Sequence, residues 1–131
     1  MTLCALAALL LALSPAASSP AAPQDDREAD AKADRKRDEL IEDLKVIIPR
    51  MPEGDRRADL YFQLAELWWE KARYTGLQEV RDHDDAVANW ADKREGEEPK
   101  LDTRRSDGYR REAIGLYQEV LDRYPAYERR D

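Results

Sequence analysis

Two apolar runs at helical spacing constrain this chain more than anything else in it. The first is Tyr61-x2-Leu64-Ala65-x2-Trp68 and the second is Ala113-x3-Tyr117-x2-Val120-x4-Pro125. At about 100° per residue, each run gathers on one face of a helix. Two such faces predict a helix pair, and Pro125 closes the second helix because it cannot continue the backbone hydrogen bonding. The chain has only five glycines and few β-branched runs, which favours helix over sheet throughout. The predicted class is all-α.

The rest of the chain is organised around that pair. Leu40, Ile41, Leu44, Ile47 and Ile48 form an amphipathic stripe, so residues 33–54 are expected to be an N-terminal helix and turn. Pro49 and Pro52 end that helix, and Asp55 is the expected N-cap of the next. Residues 23–32, polar and rich in Ala and Asp, are expected to be a tether. The second helix carries Leu60, Leu67 and Tyr74 beside its main stripe, with Phe62 and Trp69 in a third direction. Apolar residues on several sides imply packing on several sides. Beyond Tyr74 the pattern thins but persists through Leu77, Val80, Val87 and Trp90. The helix is therefore expected to continue to about Arg94, with Gly76 as a weak point. Glu95-Gly96-Glu97-Glu98-Pro99 breaks it, Lys100–Asp107 is expected to be loop, and a third helix is expected from Ser106 or Asp107. Its Ile114 and Leu121 lie off the Ala113/Tyr117/Val120 stripe and are expected to be partly exposed.

Charge narrows the partners. Of 131 residues, 39% are charged and the net charge is -7. An acidic balance with interleaved Lys and Arg argues against nucleic acid, which needs clustered cations. Mixed runs such as Asp34-Arg35-Lys36-Arg37-Asp38-Glu39 are solvated helix surface.

Residues 1–22 have the look of a signal peptide. Leu3–Leu13 is an apolar run of 11 residues, short of the roughly 20 that span a bilayer. Small residues and prolines follow it, as in a cleavage region. No Lys or Arg precedes Leu3, a departure from the usual n-region. The expected location is periplasmic or secreted, with no transmembrane segment in the mature chain. The only cysteine is Cys4, so the mature chain would hold no disulfide or thiol chemistry.

The two apolar runs resemble the two halves of a tetratricopeptide (TPR) repeat, with Tyr61, Leu64, Ala65, Trp68, Ala113, Tyr117, Val120 and Pro125 at the positions of its core. In that repeat of roughly 34 residues the second-helix Ala follows the last first-helix aromatic by about nine positions. Here Trp68 and Ala113 are separated by about 36 residues more than that repeat allows. The resemblance thus implies a TPR-like unit over 55–125 with an insertion at about 75–106 that extends the first helix. Residues 126–131 fall where a next repeat would begin, as in the start of a truncated α-solenoid. The runs Leu-Ala-Glu-Leu-Trp-Trp-Glu-Lys-Ala, Tyr-Arg-Arg-Glu-Ala-Ile-Gly-Leu-Tyr and Tyr-Pro-Ala-Tyr-Glu-Arg-Arg-Asp are similar to bacterial cell-envelope TPR proteins of gliding-motility or Tol-Pal type. That resemblance implies a non-catalytic scaffold that binds protein partners.

Candidate sites follow from helix phase. Asp59, Phe62, Glu66, Trp69 and Arg73 lie off the core stripe and are the expected partner-binding groove, with aromatics as anchors and charges setting orientation. The competing reading is that Phe62 and Trp69 pack on the N-terminal helix or on a missing repeat. Asp82-His83-Asp84-Asp85 is a solvated face, because successive helical residues diverge too far to converge on a metal. Trp90 is the expected internal anchor of the insertion, with an exposed contact as the alternative. No catalytic residues, metal ligands or cofactor are expected. The alternative function is an oligomeric spacer that self-associates through its long helix, though its apolar positions hold no heptad beyond Leu77.

Overall fold

The computed structural model describes residues 23–128, and within them every regular element is helical. The segment expected to be a signal peptide, Cys4 and the last three residues, part of the expected start of a next repeat, lie outside that range. Helix α1 spans Pro23–Ile47 and runs into a single 3₁₀ turn at Ile48–Arg50. Helix α2 spans Asp55–Lys93 and helix α3 spans Arg104–Arg123. Among the described residues no helix is long and apolar enough to cross a membrane.

Helix α1 already occupies residues 23–32, the stretch expected to be a tether. Ala29, Ala31 and Ala33 are strong helix formers, and Pro23 suits a first helical turn, where its missing N–H costs nothing. A charged, Ala-rich stretch looks the same in sequence whether it is a free tether or a solvated extension of a helix.

Helix α2 does not use Asp55 as its cap. Gly54 holds that position with φ of 146°, a backbone region that L side chains rarely adopt. Its carbonyl accepts the N–H groups of Arg57 and Ala58 at 3.0 and 3.1 Å. Asp55 is instead the first helical residue, where its charge complements the helix N-terminus. The helix then runs 39 residues to Lys93, as the persisting apolar pattern indicates. Arg94 stops it in the left-handed region, at φ of 50°. Helix α3 begins at Arg104, two residues earlier than expected, because acceptors for its first N–H groups are supplied from outside the helix. Asp102 accepts the Arg104 N–H, and Glu79 of α2 accepts that of Ser106.

Helix α2 is the centre of the molecule. Helices α1 and α3 pack on it, each antiparallel to it, rather than on each other. Against α1, Ile41 and Ile48 bury Leu64, flanked by Leu44, Leu60, Leu67, Trp68 and Leu116. Against α3, Ala58, Ala65 and Ala72 are fully or almost fully buried. Their seven-residue spacing keeps them on one face, and small side chains let the helices approach closely. Ala113 and Val120 answer from α3, with Tyr124 and Tyr127 closing the seam beside Ala58. Lys71 joins the layers, binding Asp34 at 3.2 Å and Asp38 at 2.5 Å on α1. Its ammonium also sits over the Tyr109 ring of α3, 5.2 Å from the centroid.

Candidate interaction surfaces

Three helices packed through a central one leave α2 and α3 with an open side facing away from α1. Its composition follows from phase. Phe62 and Trp69 are two turns apart and share a direction on α2. Phe62 meets Tyr117 of α3 edge-on, at 5.5 Å between ring centroids. Tyr117 carries Ile114 and Leu121 beside it, at i−3 and i+4. Trp69, Ile114 and Leu121 are 40%, 44% and 46% exposed. Further along α2 Val80 shares the direction of Trp69 and is also exposed.

The five groove residues expected from the sequence separate into two groups. Glu66, Trp69 and Arg73 are exposed on this open side, with Arg73 held to Glu70 at 3.2 Å. Asp59 and Phe62 are turned inward. The Asp59 carboxylate accepts a hydrogen bond from the Tyr127 hydroxyl, and Phe62 packs against the cluster of Ala58, Val120, Tyr124 and Tyr127. Burial raises the Tyr117 phenol pKa above its ordinary value, and the carboxylates of Glu66 and Glu70 add to the effect. The open side is therefore apolar along its centre with an acidic edge on α2.

Of the expected core residues, Leu64, Ala65, Ala113 and Val120 are buried, while Tyr61, Trp68 and Tyr117 are half-buried. Trp68 stacks on Tyr109 with centroids 5.4 Å apart. Pro125 is exposed and follows the end of α3. Tyr127, which no phase argument selects because it lies beyond the helix, folds back onto α2 and is buried.

A second surface lies between α1 and α3, floored by α2. It is a groove of about 650 Å³ lined by Leu64, Trp68, Tyr109 and Leu116, with Lys45, Arg104, Arg105 and Glu112 at its rim. A smaller recess of about 260 Å³ continues it past Lys45 and Leu64 to Ile48, Pro49 and Tyr61. Helix phase did not reveal this groove, because it arises from the spacing of two helices held apart on α2.

The loop between α2 and α3 is strapped back onto α2. The Trp90 indole N–H donates to the Gly96 carbonyl at 3.2 Å, and His83 Nε2 lies 3.3 Å from the Pro99 carbonyl. Trp90 is thus bonded to the loop that follows α2, and His83 faces the same loop. Among the described residues no three His, Cys, Asp or Glu side chains converge as metal ligands do. Compared with known protein families, curated proteins and solved structures, the chain matches none.

Proposed function

We propose that this chain is a non-catalytic protein-interaction scaffold of the bacterial cell envelope, built on one TPR-like helix pair. The observation that supports this most is the apolar row on the open side of α2 and α3. Trp69, Ile114 and Leu121 are each about 40% or more exposed, and exposed apolar side chains gathered on one side mark interaction sites. Trp69 supplies the aromatic anchor typical of binding hot spots, and Glu66 and Arg73 flank it with opposite charges.

Site-specific photocrosslinking in the native host tests this reading. A crosslinker at position 69 or 114 is expected to give discrete protein adducts, and one at exposed Lys36 on α1 is expected to give none. Equal adducts from all three positions would remove the support for a defined binding face. Fractionation of the same cells tests the periplasmic location.

The second reading is self-association through the long helix, which the 59% exposure of Leu77 favours. In sedimentation the scaffold reading expects a monomer. A dimer abolished by Leu77→Glu would favour the spacer instead.

A further inference from the structure

We propose that the recess between α1 and α2 receives a basic amphipathic helix of a partner protein, with an aliphatic side chain seated on Leu40, Leu44 and Leu67. The recess holds about 280 Å³, and Gln63, Glu66 and Glu70 form its α2 edge. That is just under the roughly 300 Å³ at which small-molecule clefts begin, so it takes a side chain or two of a larger partner. Leu40 and Ile47, seven residues apart on one direction of α1, are both exposed. An apolar strip two turns long beside a second helix suits an amphipathic helix, which anchors through residues at i, i+3 or i+4 and i+7. Around α2, Glu66 and Glu70 stand between Leu67 and Trp69. This seat is therefore separate from the open side, and the inference goes beyond the reading above.

The edge selects a cationic occupant. The charged side chains that line the recess are Glu66 and Glu70, both exposed carboxylates. Among the described residues Glu66 is in no ion pair. Glu70 holds Arg73 at 3.2 Å, and Arg73 lies on the Trp69 side of α2. One cation for two carboxylates leaves the edge net negative. Helix α1 brings no cation to offset it. Its Arg37 is held by Asp34 at 2.6 Å, and Lys36 turns to Glu39, at 2.8 Å, on the face of α1 away from Ile41. The negative field reaches as far as α3, where, after burial, Glu66 and Glu70 hold the Tyr117 phenol above its ordinary pKa. A Lys or Arg one turn from a seated Leu would meet Glu66 or Glu70, and an Asp or Glu in its place would be repelled.

Isothermal titration of the full chain tests the proposal with two synthetic helical peptides. One carries Leu at helical spacing among Lys and Ala, and its counterpart carries Glu for each Lys. The basic peptide is expected to bind saturably, with an affinity that falls as salt rises, and the acidic one is not. Glu66→Lys combined with Glu70→Lys is expected to weaken binding by about tenfold or more. Leu40→Ala, which removes the seat and keeps the charge, is expected to weaken it by about fivefold or more. Glu97→Lys combined with Glu98→Lys, in the loop after α2, is expected to leave binding unchanged, as is Trp69→Ala. All these positions are exposed, so circular dichroism of the variants should match the parent. Equal binding of both peptides, no binding of the basic one, or indifference to Leu40→Ala or to the Glu66 and Glu70 reversals overturns the proposal. Equal weakening by the Glu97 and Glu98 reversals overturns it by showing attraction to net charge alone. A loss with Trp69→Ala as large as that with the Glu66 and Glu70 reversals overturns it by moving the site to the open side. In sedimentation, a dimer that those reversals abolish would put a second copy in the recess and overturn it as well.

Discussion

Glu79 of α2 caps the first turn of α3 through Ser106. One carboxylate oxygen accepts the Ser106 N–H at 3.2 Å and the other accepts its hydroxyl, and both residues are buried. Removing a charged acceptor from a buried pair strands the donors it served, at about 1.5–3 kcal/mol. Glu79→Ala is therefore expected to lower the unfolding free energy by that amount. Glu79→Gln keeps one acceptor oxygen and is expected to lose less. Urea denaturation of both variants checks the order.

The adjacent tryptophans should behave differently. Trp68 is stacked on Tyr109 and packed on the α1 cluster, so Trp68→Ala is expected to cost about 3 kcal/mol, the low end for a large core aromatic. Trp69→Ala is expected to cost under about 1 kcal/mol, as an exposed substitution does. Thermal melts showing equal losses would contradict the placement of the two rings.

Gly76 lies inside α2 without a steric need for glycine. A Cβ there would meet Ser106 at 3.7 Å, ordinary van der Waals contact. Gly76→Ala is expected to stabilise the protein by about 0.5–1 kcal/mol through helix propensity. A fall in melting temperature would show that α2 and α3 are closer at that level than described.

Lys71 should make the docking of α1 sensitive to alkali. Burial lowers its pKa, but hydrogen bonds to Asp38 and Asp34 outweigh this and leave it raised above the ordinary 10.5. A raised folded pKa gives stability that is complete below 10.5 and fades as pH climbs through the folded value. Lys71→Met is expected to be less stable than the parent at neutral pH, with the gap closing above that point. Amide exchange in α1 at pH 7 and under alkaline conditions measures it.

Glu53 should act in the opposite direction. The hydrogen bond from the Tyr124 hydroxyl lowers its carboxyl pKa from the ordinary 4.5, burial opposes this, and Arg123 and Arg57 reinforce it. A lowered folded pKa gives stability that is present above the ordinary value and lost as pH falls through the folded one. Glu53→Gln is expected to melt lower than the parent at neutral pH and to converge with it in acid. A gap that is constant across the titration would leave the Tyr124 and Arg123 contacts without energetic effect.

Much of this architecture is legible in the sequence, for a physical reason. Apolar phase specifies a helix and its buried face together, so Leu64, Ala65, Ala113 and Val120 could be placed in the core, and Ile114 and Leu121 at the surface, from spacing alone. Proline and glycine chemistry set the end of α3 and the turn before α2. What could not be read depends on neighbours. Asp59 and Phe62 share the phase of a groove, but Tyr127 and Tyr117 reach across and occupy them. Glu79 and Ser106 are 27 residues apart, with no local signal linking them. The groove above Trp68 exists only because α1 and α3 stand apart on α2.

The overhang of α2 has a mechanical consequence. Helix α3 meets it no further than Asp82, which Arg105 approaches at 4.0 Å, so about 11 residues, or roughly 16 Å of helix, project beyond the helix pair. Among the described residues only the returning strap through Gly96 and Pro99 accompanies them. A sideways pull on the tip acts through that arm on the Glu79–Ser106 junction, which serves as the fulcrum. The opposite end, clamped by Glu53, Arg123 and Tyr124, carries the least torque. A partner gripping the tip would thus have leverage over the start of α3, while one seated beside Tyr124 would have almost none.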